Sequence, residues 1–251
     1  MIHILTIHFN DRWVDLQLEK LSKYITQPYR VYTVLGENYD IHKDKFFISI
    51  DAKLKHYESL ELLQHKLHEL HVDDEDIILI LDSDAFPIKN LDYYIEEKLN
   101  KYNFCAIVEP ELNYNPLPIQ PFECFYLFKY KFFKSGFSFY YNPGIHSNWN
   151  DWMIDWFDKK NIEWYKLCRT NKHNIHPLYY GIYDDIIFHS WCGSFESIIK
   201  GRVTRVDRIL SNKTGIPLEK IIEENENIFF DVFYKLNNNF DEFMQFLNGN
   251  N

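Results

Sequence analysis

The sequence lacks several features that mark common classes of protein. It has no run of basic residues, and 37 Asp and Glu outnumber 27 Lys and Arg, for a formal net charge of −10. Proteins that bind a nucleic-acid backbone need clustered Lys and Arg, so no nucleic-acid partner is expected. No apolar run approaches the roughly 20 residues of a membrane span, so no membrane-spanning helix is expected.

Cysteine is also scarce, with four residues and no Cys-x-x-Cys pair. Cys105, Cys124, Cys168 and Cys192 are dispersed along the chain, which is typical of reduced thiols in an intracellular protein. The first ten residues, MIHILTIHFN, carry no basic segment and are too short for a secretory signal peptide. We therefore expect a cytoplasmic protein.

The sequence does have a regular alternation of apolar strands and amphipathic helices. With 251 residues and 46% hydrophobic side chains, one α/β domain is expected. Strands are predicted at 2–9, 29–35, 46–50, 76–81 and 104–108, and helices at 11–25, 56–71 and 91–101. This alternation predicts a mostly parallel central sheet with helices on both faces.

The second half of the chain is less regular. It predicts strands at 125–133 and 185–189, a turn at 142–144 and a helix at 151–160. From Pro217 the pattern is helical, interrupted by the polar segment KLNNNF. We therefore expect a main domain over residues 1–200 and a C-terminal helical extension over residues 201–251.

The segment IILILDSDAFPI, residues 77–88, leads five apolar residues directly into two carboxylates. Ligands of open α/β sheets bind beyond the carboxyl ends of the strands, where Asp82 and Asp84 are expected. Because the chain is expected to turn there, both carboxylates can converge on one cation. Oxygen ligands favour Mg²⁺ or Mn²⁺, which commonly bind through one or two carboxylates plus substrate phosphates. The structural alternative is that one carboxylate caps the turn and the other is solvated.

These segments together resemble the GT-A glycosyltransferases, the nucleotide-diphosphosugar transferase fold. The likeness lies in ILDSDAFP behind an α/β half that begins IHILTIHFN. The stretch from Trp164 to Phe195 is also similar to the C-terminal part of a group of microbial and viral members. The resemblance covers residues 1–200, and it implies that residues 1–110 bind the nucleotide-sugar and residues 111–200 bind the acceptor.

The resemblance implies a metal ion, Mn²⁺ or Mg²⁺, that bridges the diphosphate of a UDP- or GDP-sugar and neutralises charge on the leaving group. Asp84 would be a direct ligand, and Asp82 would contact the ribose or a metal-bound water. Ser83 between them would join the residues that bind the nucleotide. His189, after DDIIF, would complete the metal site, although it could also simply end an ordinary strand.

In the fold that the sequence resembles, the ends of the first and third strands hold the base and the ribose. Thr6, His8 and Asn10 close the first predicted strand, and Asp51 follows the third. These four residues are therefore candidates for binding the nucleotide. Their alternative role is the capping of loops.

In inverting members of this fold, a carboxylate at the start of a helix below the acceptor takes the hydroxyl proton. Asp151 begins the predicted helix DWMIDWFDKK and is the corresponding candidate base. Asp also favours the N-cap position for purely structural reasons, and Trp152 stands where a small residue is usual. Asp155, Asp184 and Asp185 are competing candidates, and a retaining enzyme would need no such base.

The sequence thus favours a metal-dependent, inverting glycosyltransferase that moves a sugar from a nucleotide-diphosphosugar to a hydroxyl of a glycan or glycoconjugate. One alternative, a sugar-phosphate nucleotidyltransferase, should carry a phosphate loop rich in Gly and Lys or Arg after the first strand. The segment HFNDRW does not supply that loop. The other alternative is a non-catalytic carbohydrate- or nucleotide-binding module on a degenerate fold, against which the intact Asp82, Asp84 and His189 argue.

Overall fold

The first strand, β1 (Ile2–His8), is buried along its whole length, as expected of a strand in the middle of a sheet. Its apolar side chains alternate between the two faces. Ile2 and Ile4 join one hydrophobic cluster, and Leu5 and Ile7 join another. The strand therefore lies between two separate apolar layers.

The computed structural model describes residues 1–108, 120–139, 149–176, 179–191 and 205–249, without the side chains of 149–151, 205, 206, 209 and 213. The strands after β1 are β2 (Tyr29–Leu35), β3 (Ile48–Asp51), β4 (Ile77–Asp82), β5 (Ala85–Pro87), β6 (Phe104–Val108), β7 (Pro121–Lys129), β8 (Trp164–Leu167), β9 (Gly181–Tyr183) and β10 (Ile187–His189).

Within these described ranges, the central sheet has seven strands in the order β3-β2-β1-β4-β7-β6-β8. β1 pairs in parallel with β2 and β4, β2 pairs in parallel with β3, and β6 pairs in parallel with β8. Of these seven strands, β7 alone is antiparallel to its neighbours β4 and β6. A second sheet has the order β5-β10-β9. The predicted mostly parallel α/β architecture is confirmed.

Helices cover both faces of the central sheet. They are α1 (Val14–Tyr24), α2 (Tyr39–His42), α3 (His56–Glu69), α4 (Asp92–Leu99), α5 (Lys131–Lys134), α6 (Trp149–Lys160), α7 (Arg205–Thr214), α8 (Leu218–Asn238) and α9 (Phe240–Leu247). α1 and α4 pack on one face through residues such as Leu21 and Ile95. α3 packs on the other face through Leu60, Leu63 and Leu67, which recur at helical spacing. Among the described helices, none has the length and apolar character needed to cross a membrane.

The C-terminal helices pack against the rest of the chain. Trp13, just before α1, meets the ring of Phe229 of α8 edge to face at 6.0 Å, in a cluster shared with β5, β9 and β10. The interruption predicted at KLNNNF falls at Asn239, between α8 and α9. The division of the chain into residues 1–200 and 201–251 stays a proposal.

Two predicted strands are misplaced. The strand predicted at 125–133 is β7, which ends at Lys129, and α5 follows it. The apolar run continues from the strand into the helix, so hydrophobicity alone does not mark the boundary. The strand predicted at 185–189 begins only at Ile187, because Asp184 and Asp185 have φ angles of 48° and 56° and form the turn after β9. The turn predicted at 142–144 lies outside the described residues.

Candidate metal centre

The chain leaves the central sheet at a tight turn that carries both carboxylates, and we call it the metal-binding turn after its predicted role. β4 ends at Asp82 and β5 begins at Ala85, so Ser83 and Asp84 connect strands of two different sheets. Asp82 also pairs with Ile7 near the carboxyl end of β1. The turn therefore lies at the edge of the sheet where open α/β folds bind ligands.

A second strand brings a histidine to the same turn. β10 is antiparallel to β5 and places His189 opposite Ala85. The amide of Ser190 donates a hydrogen bond to the carbonyl of Asp84 at 3.2 Å. Nε2 of His189 lies 3.2 Å from Oδ1 of Asp84 and 3.8 Å from Oδ2 of Asp82. The three side chains offer ligand atoms within 4.8 Å of one another, so one ion can contact all three.

Two of the three side chains have buried atoms that make no hydrogen bond. Asp84 and His189 are each 3% exposed, whereas Asp82 is 27% exposed. In the described part of the chain, Oδ2 of Asp84 and Nδ1 of His189 are buried without a hydrogen-bond partner. A buried, unsatisfied carboxylate oxygen is costly, and a divalent cation would satisfy it. Carboxylates suit Mg²⁺ and Mn²⁺, and the imidazole adds a nitrogen ligand of the kind that transition metals accept. The donor set therefore fits Mn²⁺ better than Mg²⁺.

The surroundings of the metal-binding turn are acidic. Burial raises the pKa of Asp82, and Asp84 acts in the same direction, while His56 and His189 lower it. Burial also raises the pKa of Glu123, with Asp82 adding to the effect and His56 opposing it. Among the described residues, no Lys or Arg forms an ion pair with these carboxylates. A divalent cation would relieve this concentration of negative charge.

Two aromatic neighbours of the metal-binding turn are not predicted from the sequence. His56, the first residue of α3, has Nε2 3.5 Å from Oδ1 of Asp82. The ring of Trp191 lies 4.5 Å from the ring of His189 and 5.2 Å from that of Phe122. His56 could have been noticed as a polar residue that opens a helix after the third strand. Nothing local in the sequence sets Trp191 apart from the many other aromatic residues.

Glu123 was missed because it depends on an irregularity in β7. The ladder between β6 and β7 shifts register between Ala106 and Ile107, which face Tyr126 and Phe122 respectively. Residues 123–125 of β7 therefore have no partner in β6, which is the arrangement of a large β-bulge. This bulge is where β7 passes the end of β4, and it brings a third carboxyl group towards the turn.

Of the residues predicted to bind the nucleotide, three are buried. Thr6 and His8 are 0% and 1% exposed, and Ser83 is buried within the turn. The hydroxyl of Thr6 donates to the side-chain oxygen of Gln17. Burial lowers the pKa of His8 to about 4, so that its ring is neutral at pH 7. The structure does not expose these side chains to solvent, and their contact with a nucleotide stays a prediction.

Asn10 and Asp51 lie nearer the surface at the same edge of the sheet. Asp51 is exposed at the end of β3, and Asn10 is half-buried in the loop after β1. Oδ1 of Asn10 accepts a hydrogen bond from the amide of Arg12 at 3.2 Å, which is a capping contact within the loop. Their predicted role in binding the nucleotide also stays a prediction.

The candidate bases occupy different parts of the fold. Asp151 lies two residues after the start of α6, and its side chain is outside the described part of the chain. Asp155 is exposed further along the same helix. Asp184 and Asp185 form the turn at the opposite end of β10 from His189. These two competitors are therefore separated from the metal-binding turn by the length of β10.

No protein-family model matches the chain, and no curated protein matches it. Three similar solved structures are a candidate glucose-1-phosphate thymidylyltransferase from Bacillus anthracis, a 4-diphosphocytidyl-2C-methyl-D-erythritol synthase and HddC from Yersinia pseudotuberculosis. The first is 12% identical over 80% of this chain and 93% of that one, with a TM-score of 0.44. The second is 11% identical over 66% and 88%, with a TM-score of 0.48. The third is 10% identical over 67% and 90%, with a TM-score of 0.41.

None of these three structures is described as a glycosyltransferase. The activity named for the first structure is of the kind that the sequence left open as an alternative. Because the TM-scores are below 0.5 and the identities do not exceed 12%, the three likenesses decide neither the family nor the reaction. The resemblance to GT-A glycosyltransferases stays a prediction.

Proposed function

We propose that the protein is a metal-dependent transferase that acts on a nucleotide-diphosphosugar. The observation that carries this proposal is the convergence of Asp82, Asp84 and His189 at the carboxyl end of β4. Ions such as Mg²⁺ and Mn²⁺ commonly bind through one or two carboxylates together with phosphates of the substrate. Two of the three side chains are buried, and Asp82 is the more exposed. The centre therefore suits an ion that is held from one side and meets a diphosphate on the other.

The side chains of this centre would have different roles. Asp84 and His189 would hold the ion, and Asp82 would complete the site at its exposed side. The ion, when bound, supplies Lewis-acid stabilisation of the negative charge on a diphosphate leaving group. Trp191, beside His189, would offer an aromatic wall for a sugar or a base.

We further propose that the reaction transfers the sugar, with inversion, to a hydroxyl of a glycan or glycoconjugate. Asp151, in the first turn of α6, would accept the proton of that hydroxyl. The donor would be a UDP- or GDP-sugar. The buried, unpaired Cys105 and Cys124 support a reducing compartment such as the cytoplasm.

Sugar-phosphate nucleotidyl transfer is the second candidate, because the metal centre alone would serve it equally well. That reaction calls for cations around a triphosphate in the loop after β1. The loop contains Arg12, whose guanidinium lies over the rings of Phe229 and Phe233 at 5.2 and 5.9 Å. A cation engaged with α8 in this way supports glycosyl transfer as the first choice.

A thermal-shift screen followed by product analysis tests the proposal. UDP, GDP and their sugars should raise the melting temperature in the presence of Mn²⁺ and have little effect in EDTA. With a nucleotide-sugar and a glycan acceptor, glycosyl transfer releases a nucleoside diphosphate. With a nucleoside triphosphate and a sugar 1-phosphate, nucleotidyl transfer releases pyrophosphate instead. Metal-independent binding, or binding of neither substrate pair, would overturn the proposal.

A further inference from the structure

A buried glutamine on α1 holds the metal-binding turn from the side of the core. Gln17 is fully buried. Its Nε2 donates hydrogen bonds to the backbone carbonyls of Asp82 at 2.7 Å and Ala85 at 2.8 Å. Its Oε1 accepts a hydrogen bond from the hydroxyl of Thr6 at 3.0 Å. One carboxamide thus joins the first strand to both ends of the turn.

The chemistry of these partners explains why the side chain is an amide. Backbone carbonyls can only accept, so the nitrogen of Gln17 must face the turn, and the oxygen must face Thr6. The two accepting carbonyls belong to the residues that flank Ser83 and Asp84. Only an amide offers two N–H donors and an acceptor in one plane at this short reach. A carboxylate or a hydrocarbon of the same size would leave both carbonyls without these donors.

β10 and the residue after it also contact the turn. The amide of Ser190 donates to the carbonyl of Asp84, and His189 pairs with Ala85 in the ladder. Gln17 and Ser190 together therefore donate hydrogen bonds to three of the four backbone carbonyls from Asp82 to Ala85. The carboxylates of Asp82 and Asp84 are therefore attached to a backbone segment that these hydrogen bonds restrain.

We propose that Gln17 is a positioning residue of the metal centre, and that it sets the separation of the Asp82 and Asp84 carboxylates. The inference rests on the metal-dependent function proposed above. Without the amide, the carbonyls of Asp82 and Ala85 would lose their donors in a buried place, and the turn would shift to find others. Both carboxylates would then have to be ordered by the ion itself, which lowers the affinity for the ion.

A matched control exists on the other face of the sheet. Gln64 of α3 is also buried, and its Oε1 accepts a hydrogen bond from the amide of Phe139 at 3.1 Å. Its Nε2 lies 3.3 Å from Nε2 of His68, and in the described chain it makes no hydrogen bond to the metal-binding turn. Replacing either glutamine by Met removes a buried amide with little change in volume. Both replacements should therefore lower the melting temperature of the metal-free protein.

The two variants should differ in the binding of Mn²⁺. Gln17→Met should weaken Mn²⁺ binding by roughly 10- to 100-fold, the range seen when partners of metal ligands are removed. It should also broaden the electron paramagnetic resonance spectrum of the bound ion, since the carboxylates are less ordered. Gln64→Met should retain the affinity and the spectrum of the wild type. Isothermal titration calorimetry with MnCl₂ measures the affinities, and circular dichroism checks the fold.

Thr6→Val provides a second variant in case Gln17→Met fails to fold. It leaves Gln17 in place and removes the hydroxyl that orients it, so a smaller loss of Mn²⁺ affinity is expected. If the wild type does not bind Mn²⁺, the metal centre itself is wrong. If the wild type binds and both folded variants bind equally well, only the role of Gln17 is wrong. A loss in Gln64→Met as large as that in Gln17→Met would also overturn the positioning role.

Discussion

His189 lies 3.2 Å from Asp84, although nearly half of the chain separates them in sequence. The contact exists because β10 pairs with β5 directly after the metal-binding turn. The candidate metal centre therefore depends on the small sheet of β5, β10 and β9 as much as on β4. Substitutions of individual side chains of the candidate metal centre should therefore change metal binding while the protein still folds.

Replacing Asp84 by Asn should abolish stabilisation by Mn²⁺ without unfolding the protein. The amide keeps the shape of the side chain and removes one of several carboxylates that repel one another. Binding to the native state stabilises a protein by about 2.7 kcal/mol at 100 times the dissociation constant, so the wild type should melt at a higher temperature with Mn²⁺. Differential scanning fluorimetry with and without Mn²⁺ measures the melting temperatures of the wild type and the variant.

Asp185→Asn is the matched control for that experiment. Asp185 is exposed in the turn after β9 with a φ angle of 56°, which Asn tolerates well. The control should keep the full response to Mn²⁺. An equal response in Asp84→Asn would contradict its role as a ligand.

His189→Gln should weaken Mn²⁺ binding more than His56→Gln does. His189 offers a ring nitrogen to both carboxylates, whereas His56 reaches Asp82 alone at 3.5 Å. We expect the loss at His189 to be at least the roughly 10- to 100-fold seen for outer partners of metal ligands, and the loss at His56 to be smaller. Calorimetric titration of the two variants gives the ranking, and the reverse order would move the histidine ligand to His56.

Asp151→Asn should lower glycosyl transfer by roughly 10²- to 10⁴-fold, the usual share of general-base catalysis. Asp151 lies inside the first turn of α6, and Asn keeps the shape of its side chain, so folding and Mn²⁺-dependent binding of the donor should survive. Asp155→Asn, further along the same helix, should leave the rate unchanged. Rates come from release of the nucleoside diphosphate, and anomeric NMR of the product should show inversion. Near-full transfer by Asp151→Asn, or retention of configuration, would rule out this base.

Because of His176, the free energy of unfolding should decrease as the pH falls from about 6.5 to about 4. The amide of Tyr179 donates to Nδ1 of His176 at 3.2 Å, and the two rings stack at 4.2 Å. Burial lowers the pKa of His176 to about 4 in the folded protein. In this window the unfolded chain binds a proton that the folded protein does not, so the free energy of unfolding decreases as the pH falls and levels off below pH 4. The full effect is roughly 3 kcal/mol.

Urea unfolding at pH 7 and pH 4.5 measures this dependence. His176→Asn keeps an acceptor near the position of Nδ1 and does not titrate in this range. The difference in unfolding free energy between the two pH values should therefore be smaller in the variant than in the wild type. His65→Asn, at an exposed position of α3, should behave as the wild type does. An unchanged pH dependence in His176→Asn would show that the ring already titrates normally.

The sequence predicts those parts of the site whose residues lie close together along the chain. Asp82 and Asp84 follow five apolar residues, and that pattern identifies both the strand and the place where it ends. The local sequence does not predict that His189 joins the carboxylates, because its pairing with Ala85 connects distant segments of the chain. His189 was predicted only from the resemblance to GT-A glycosyltransferases. The boundary after β7 was missed because Phe132 extends the apolar run into α5.

Gln17 was beyond prediction for a different physical reason. Gln17 lies on the apolar face of α1, three residues after Val14 and four before Leu21, but this spacing does not indicate what a polar side chain on that face contacts. The structure buries α1 on a second side as well, because Leu16 packs in the cluster that contains Phe229 of α8. The partners of Gln17 are also backbone carbonyls, which leave no trace in the pattern of side chains.

The positions of Asp82, Asp84 and His189 along the chain also determine the order in which these side chains become available during translation. Strands β1 to β4 pair with one another within the first 82 residues, so this half of the sheet can assemble while the rest is being translated. β7 can insert beside β4 only afterwards, and β10 can reach β5 only when residue 189 has emerged. A nascent chain therefore carries the two carboxylates for a long interval without their histidine. Binding of the proposed ion by all three side chains would therefore be a late step of biosynthesis, coupled to pairing of β10 with β5.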